Sequence, residues 1–189
     1  KKIVLFGILA TLAVGFFLPR LTKDTSAESF IADDNPAVVY RKQVEEVFGL
    51  SDPVIVAGTR RGPKGIFTPE GLNFVSNLTQ SIRRLEGVDP ERVTSLSTEN
   101  NIVGDEIGLE VTPFYQTPVT SQEVAERVKE SVLRFPLFMG SLVAQDGSAT
   151  LIVAELLDPS RGDEVFHQIQ DMTRNAPDKS IEVFVAGEG

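Results

Sequence analysis

The chain of 189 residues contains no cysteine, no tryptophan and one histidine, His167. Without cysteine it cannot form a disulfide, a thiol nucleophile or a thiolate metal site. A single histidine excludes the usual zinc sites with several histidine ligands and weakens any serine–histidine catalytic pair. Hydrophobic residues make up 41% of the chain and charged residues 24%, so a core can form and a disordered or collagen-like chain is excluded.

Basic residues are scarce outside the N-terminus. Residues 1–23 carry four basic residues and no acidic residue, whereas the remainder carries 14 basic and 27 acidic residues, a net charge of −13. An acidic body repels phosphate backbones. We therefore expect no nucleic-acid partner.

One long apolar run, IVLFGILATLAVGFFL, occupies residues 3–18, with thirteen apolar residues and no charge. As a helix it covers roughly 24 Å, slightly less than a hydrocarbon core of ~30 Å. Lys1, Lys2 and Arg20 can reach the two interfaces. We predict a transmembrane helix over residues 1–21 in contact with the lipid bilayer. The alternatives are a cleaved signal peptide, although the run ends without a small-x-small cleavage site, and a buried soluble helix.

The predicted span has two features that leave alternatives open. Gly7, Thr11 and Gly15 fall on one helix face, which either admits a neighbouring helix or reflects the ordinary composition of membrane helices. Basic residues flank the run on both sides, so the positive-inside rule does not fix its orientation.

Residues 22–35 are predicted to be a polar linker, and residues 36–189 an α+β domain with α/β-like alternation. Capping signals predict four helices. They extend from Pro36 to Gly49, from Pro69 to Gly87, from the capping box Thr120–Glu123 to about Pro136, and from Gly162 to Asn175. Apolar runs predict strands at 54–57, 92–96, 107–111, 141–144, 150–154 and 181–186, with a tight turn at Asp146-Gly147. The continuous run at 54–57 suits a strand buried on both faces. Two β-α-β units follow, near 53–97 and 150–186.

Gly58, Gly62 and Gly65 form a glycine-rich basic loop with Arg60, Arg61 and Lys64. The loop lies between a strand and a helix, where a phosphate-binding loop would stand. Its spacing matches neither G-x-x-x-x-G-K-[ST] nor G-x-G-x-x-G. We therefore interpret it as a flexible surface turn.

The other chemically interesting residues do not form a recognisable site. His167 is expected on the solvent side of its helix. The two acidic pairs in loops are expected to be solvated residues or helix caps. The third pair, Glu45-Glu46, is a poor metal clamp because adjacent residues of a helix do not share a face. Three serines lack a nucleophile-elbow context. We therefore assign no catalytic, cofactor-binding or metal-binding residue, and we expect no enzymatic activity. The acidic pairs are Asp33-Asp34, Glu45-Glu46 and Asp105-Glu106; the serines are Ser141, Ser148 and Ser160.

Five apolar residues cluster near prolines 113, 118 and 136. Core packing is the favoured interpretation, and an apolar surface that meets a substrate or partner is the alternative. These residues are Phe114, Tyr115, Phe135, Phe138 and Met139.

The order of the features carries more information than any single motif. The relevant blocks, spread over residues 24–157, are Asp33–Pro36, Phe48-Gly49, Ile66–Leu72, Leu78-Thr79, Leu85–Val88, Val93–Leu96, Gly140–Gly147 and Ala149. In this order they resemble the N-terminal part of a transporter of the resistance-nodulation-division (RND) superfamily, closest to its MMPL-like or "predicted exporter" branch.

The resemblance implies a ferredoxin-like porter domain outside the cytoplasm, behind the first of many membrane helices of the inner (plasma) membrane. Such proteins export hydrophobic or amphipathic compounds, often lipids, and use an ion gradient through carboxylates in later membrane helices. Its implied partners are the remaining helices of the same transporter, a hydrophobic or lipid substrate, and further copies in a homo-oligomer. Residues 183–187 would lead into a second span, so the chain would be a fragment. The alternatives are a single-span periplasmic scaffold or binding module, a membrane-tethered enzyme, and the protein-export branch of the same superfamily.

Overall fold

A computed structural model describes residues 2–4, 6–7, 11, 15, 31–32, 35–48, 53–104, 108–158, 161–174 and 180–187. The chain divides into two compact units, Lys1–Gln43 and Val44–Gly189. Within the described ranges, no helix is both long enough and apolar enough to cross a membrane. Most of the predicted span over residues 1–21, and most of the linker over residues 22–35, lie outside the described residues, so both remain predictions.

The described residues from 35 onward form four helices and six strands. The helices are α1 (Pro36–Phe48), α2 (Pro69–Ile82), α3 (Gln122–Leu133) and α4 (Gly162–Arg174). The strands are β1 (Val54–Arg60), β2 (Val88–Ser95), β3 (Asn100–Gly104), β4 (Leu109–Pro113), β5 (Ala149–Leu156) and β6 (Ile181–Ala186). The prediction of a mixed α+β domain is confirmed.

Four strands form one sheet in the order β2-β5-β1-β6, and every pairing in it is antiparallel. β1 and β2 therefore run parallel with β5 between them, and β5 and β6 run parallel with β1 between them. This interleaving of two β-α-β units is the split β-α-β arrangement of ferredoxin-like sheets. β3 and β4 form a separate antiparallel hairpin.

Helices α1 and α2 begin at the predicted caps. The Asn35 side-chain oxygen accepts a hydrogen bond from the Ala37 amide at 3.0 Å, and the Thr68 hydroxyl accepts one from the Gly71 amide at 3.1 Å. Each contact satisfies an amide that has no partner within the helix. Pro69 then fits the first turn of α2, where no amide hydrogen is needed.

One core cluster lies between the sheet and two helices. Val54 and Val56 of β1 and alternate residues of β5 are buried on this side against α2 and α4. A buried hydrogen bond of 2.9 Å from the Thr79 hydroxyl to the Ser95 hydroxyl joins α2 to β2. The remaining members of the cluster are Leu78, Ile82, Val88, Val93, Ile152, Ala154, Leu156, Val165 and Ile169.

A second cluster joins the start of α2 to α3 and to residues 114–119, the segment that precedes α3. Phe67 and Leu72 are buried against Val128 and Val132 of α3. Asn73 fixes the segment by exchanging two hydrogen bonds of 2.8 Å with the backbone of Val119. Phe114, Tyr115 and Phe138 are buried in this cluster, with Phe135 and Met139 packed against it. The core interpretation of the aromatic residues is confirmed.

Several predicted boundaries were wrong. α2 ends at Ile82 and not at Gly87. β1 continues through Arg60, so only the second half of the predicted glycine loop is a loop. β2 begins at Val88 and not at Arg92. The N-cap of α3 is Ser121, one residue after the predicted Thr120, because the Ser121 hydroxyl accepts the hydrogen bond from the Val124 amide at 3.3 Å.

Residues 141–144 do not form the predicted strand. They contribute only isolated bridges, from Val143 to Met139 and to Thr150. The carbonyl of Phe138 accepts hydrogen bonds from the amides of Leu142 and Val143 at 3.0 and 2.9 Å, which curls this segment into a turn. The predicted hairpin is therefore reduced to a tight turn at Asp146-Gly147 in front of β5.

Candidate functional site

One face of the four-stranded sheet is covered by α2 and α4, and the other face is covered only in part. Side chains alternate between the faces of a strand, and the series with Val54 and Val56 packs under α2 and α4. The opposite series is half-buried or exposed, and its members on β5, Leu151 and Val153, pack against the second core cluster. The prediction that β1 is buried on both faces was therefore wrong. We call the apolar members of this series the open face: Ile55, Ala57, Leu151, Val153, Phe184 and Ala186.

The strand register makes the open face continuous. Leu151, Ala57 and Phe184 are cross-strand partners in one row, and Val153, Ile55 and Ala186 are partners in the next. Directly opposed side chains on a sheet are ~4.5–5.5 Å apart at Cβ, so the members of each row lie side by side on one face. None of them is charged, and Phe184, with 58% of its surface exposed, is its largest side chain.

A groove of about 190 Å³ borders the open face at the start of β5. The backbone of Leu142 forms one wall, because its carbonyl accepts hydrogen bonds from the Leu151 amide at 2.8 Å and the Thr150 hydroxyl at 3.0 Å. Leu151 belongs to both the groove and the open face, so the two surfaces are contiguous. All lining residues are uncharged: Gly140, Ser141, Leu142, Val143, Ala144, Ala149, Thr150 and Leu151.

An ion pair borders the open face on the side of β2. Arg92 of β2 and Glu155 of β5 lie on neighbouring strands, and their side chains approach to 2.6 Å. Both groups are partly exposed, so the pair adds little to stability.

The basic loop follows β1, at the end of the sheet where β5 begins. Gly65 has φ +55°, and a Cβ placed on it would lie 2.0 Å from the Gly147 carbonyl oxygen. That carbonyl also accepts a hydrogen bond from the Ile66 amide at 3.0 Å, and the Ser148 carbonyl accepts one from the Arg60 amide at 2.8 Å. The loop is thus fastened to the turn before β5, and this close approach explains the glycine at position 65.

The charged side chains of the loop line a cavity of about 200 Å³ together with Thr68. Arg60 lies toward α2, where it donates a short hydrogen bond to the Thr68 hydroxyl and lies 3.9 Å from the Glu70 carboxylate. Arg61 is exposed and pairs with Glu182 of β6 at 3.3 Å. Lys64 is exposed.

Tyr115 is the buried titratable group of the second core cluster. Its hydroxyl donates a hydrogen bond to the Leu72 carbonyl at 3.1 Å. Burial raises the pKa of Tyr115 above its ordinary value, and a hydrogen bond with Ser97 opposes that shift to a smaller extent. The folded state therefore retains the phenolic proton at a pH where the unfolded chain releases it.

We predict a specific loss of stability at alkaline pH. Above pH ~10, the ordinary tyrosine pKa, the unfolded state binds fewer protons than the folded state, so the free energy of unfolding falls as pH rises. Urea denaturation between pH 9 and 11 would measure this slope, and Tyr115→Phe should make it shallower. An equal slope in both proteins would contradict the assignment to Tyr115.

The β3–β4 hairpin carries a second exposed apolar surface. Ile102 and Val111 are cross-strand partners, and Leu109 lies on the same side opposite Gly104. Their exposed fractions are 46%, 58% and 76%, so the predicted half-burial of the 107–111 strand was wrong where residues are described. Strand β3 was not predicted, because its five residues lack an apolar alternation with a buried side.

The remaining sequence candidates do not form a site. His167 is exposed, as predicted, and its ring contacts Phe166. The Ser141 and Ser148 hydroxyls donate hydrogen bonds to the Leu137 carbonyl and the Asp146 carboxylate. Within the described ranges, no group of three or more histidine, aspartate or glutamate side chains could hold a metal ion. Ser160, both acidic loop pairs and the side chains of Glu45-Glu46 lie outside the described part.

Comparison of the chain with protein-family models gives no match, and comparison with curated proteins gives none either. The transporter resemblance therefore depends on the sequence blocks alone.

Proposed function

We propose that the chain is the N-terminal part of an ion-gradient-driven membrane exporter of hydrophobic or amphipathic compounds, and that its α+β domain forms part of the substrate path. The observation that supports this proposal is the open face with its contiguous groove. Together they offer an apolar, uncharged surface beside a formed core, which suits a binding event without bond chemistry.

The size of the surface fits a transient ligand. Removing one CH₂ group from water contributes ~0.8 kcal/mol, whereas association itself costs at least ~4 kcal/mol. A chain of several methylene groups lying on the two rows of the open face would be bound weakly. Weak binding suits a surface that must release its ligand.

The parts of the proposal that concern the membrane and the coupling ion depend on the sequence. Residues 3–18 contain no acidic residue, so a proton-coupling carboxylate would stand in later helices, as in the RND superfamily. The described domain would then guide the substrate outside the cytoplasm and would not drive the transport step.

Photolabelling of the whole purified chain tests the binding surface. The probe is a neutral long-chain alkyl alcohol with a diazirine at the end of its chain, and labelled peptides are identified by tandem mass spectrometry. We expect saturable labelling on β1, β5 and β6. Phe184→Gln should weaken this labelling about five-fold, because it removes about 1 kcal/mol of apolar contact.

Val111→Gln is the matched control, since Val111 is also 58% exposed but lies on the β3–β4 hairpin. It should leave labelling of the open face unchanged. The proposal fails if labelling does not saturate or if both variants reduce it equally.

The membrane-anchored scaffold remains the second candidate, and the exposed hairpin favours it. A scaffold would use Ile102, Leu109 and Val111 to contact another protein, because a two-stranded hairpin with one apolar side gains stability from a packing partner. This candidate expects no saturable labelling of the open face by the alcohol probe, so the same experiment separates it from the exporter.

A further inference from the structure

The apolar open face ends at a cationic loop on the same side of the sheet. Along β1, Ile55, Ala57 and Thr59 occupy this side, and Glu182 is the cross-strand partner of Thr59. Arg61 follows Thr59 by two residues, and its guanidinium contacts Glu182 at 3.3 Å. That contact places Arg61 at the end of the open face, beyond the row that contains Thr59.

The loop brings further positive charge to this end. Lys64 and Arg61 line the same cavity of about 200 Å³, and Arg60 closes it toward α2. Two carboxylates, Glu70 and Glu182, stand near these three cations. The loop therefore keeps a positive surplus in a chain whose net charge is −9.

We infer that the open face and the basic loop form one amphipathic site for an anionic amphiphile, such as an alkyl phosphate or a lipid with a phosphate head group. The alkyl chain of the ligand would lie across the two apolar rows, and its head group would bind at Arg61 and Lys64. This inference rests on the proposed function and names its substrate class. At ~3.4 Å per residue, the distance along the strand direction from Ile55 to Arg61 is about 20 Å. An extended acyl chain whose head group binds Arg61 would therefore pass the polar row of Thr59 and Glu182 and reach both apolar rows.

The present partner of Arg61 does not block such a ligand. The Arg61 side chain is 90% exposed and that of Glu182 is 52% exposed, and ion pairs in such positions are weak. A phosphate can accept two hydrogen bonds from one guanidinium, which makes arginine an effective phosphate ligand. An anionic head group can therefore compete with Glu182 for Arg61.

The test compares three diazirine probes with the same alkyl chain and different head groups: a phosphate, a neutral alcohol and a trimethylammonium. We expect the phosphate probe to label the open face of the whole chain about ten-fold more than the trimethylammonium probe at equal concentration. Added salt should reduce this preference because the head-group site is exposed. The double variant Arg61→Gln/Lys64→Gln should reduce the preference to less than about two-fold and leave alcohol labelling unchanged.

The charge-matched control is Arg84→Gln/Arg127→Gln, which changes the net charge equally at exposed positions outside the loop. It should keep the phosphate preference, and circular dichroism should show both double variants folded. Equal labelling by phosphate and trimethylammonium in the unmodified chain overturns the inference, as does an equal loss in both double variants. If the alcohol still labels the open face in those cases, the proposed function stands without this substrate class. If the alcohol probe does not label the open face and the phosphate probe labels only residues 60–68, both the inference and the proposed function are overturned.

Discussion

Gly65→Ala is expected to lower the free energy of unfolding by about 3–5 kcal/mol. Gly65 has φ +55°, where an L-residue with a Cβ is strained, and that Cβ would lie 2.0 Å from the Gly147 carbonyl oxygen. The neighbouring atoms belong to backbone, so no side-chain rotation can relieve the overlap. Separation of the two segments would also weaken the hydrogen bond from the Ile66 amide to the Gly147 carbonyl.

Gly140→Ala isolates the conformational part of this effect. Gly140 also has a positive φ, +81°, but nothing lies within 4 Å of its added Cβ. It should cost only about 1–2 kcal/mol. Urea denaturation of both variants measures the difference, and equal costs would show that the contact between Gly65 and Gly147 does not hold the basic loop in place.

The elements with strong local signals were predicted well. α2 has a Thr68 cap, a proline in its first turn and apolar residues at helical spacing, and α4 repeats that spacing with Val165 and Ile169 buried. Such signals lie within a few residues of the element they specify. The order of elements in both β-α-β units could therefore be deduced from the sequence.

Errors arose where two local solutions compete or where no local signal exists. Thr120 and Ser121 are both good N-cap residues, and only the conformation of the chain selects Ser121. Residues 141–144 look like a strand, but Leu142 and Val143 instead bond to the Phe138 carbonyl and curl the chain. Strand β3 pairs with β4 in an exposed hairpin and needs no buried apolar series.

The candidate site depends on tertiary arrangement and could not be predicted. A run such as residues 54–57 fits a strand covered on both faces as well as one with an exposed apolar face. Only the sheet order places Leu151 and Phe184 beside Ala57. The glycine spacing at 58–65 likewise raised the question of phosphate binding, whereas Gly65 is required by its contact with the turn at Gly147.

Truncation of a phenylalanine in the core is expected to lower stability far more than truncation of a phenylalanine on the open face. Phe67 is 1% exposed and packs in the second core cluster, where its ring also faces the Lys129 ammonium at 5.9 Å from the ring centre. Phe67→Ala should lower the free energy of unfolding by about 3–5 kcal/mol, because it removes buried contacts and leaves a cavity.

Phe184→Ala is the same substitution on the open face and should cost less than about 1 kcal/mol. Phe184 lies on an edge strand with 58% of its surface exposed, so little contact is lost and no cavity forms. Urea denaturation of the two variants, at equal pH and salt, measures both costs. A large cost for Phe184→Ala would mean that this side chain supports the fold, and the open face would then be unavailable to a ligand. If Phe184→Ala costs little stability and Phe184→Gln weakens photolabelling as expected, the Phe184 side chain would be assigned to ligand binding. An aromatic residue at an exposed sheet position that contributes little to stability can make its contacts with another molecule.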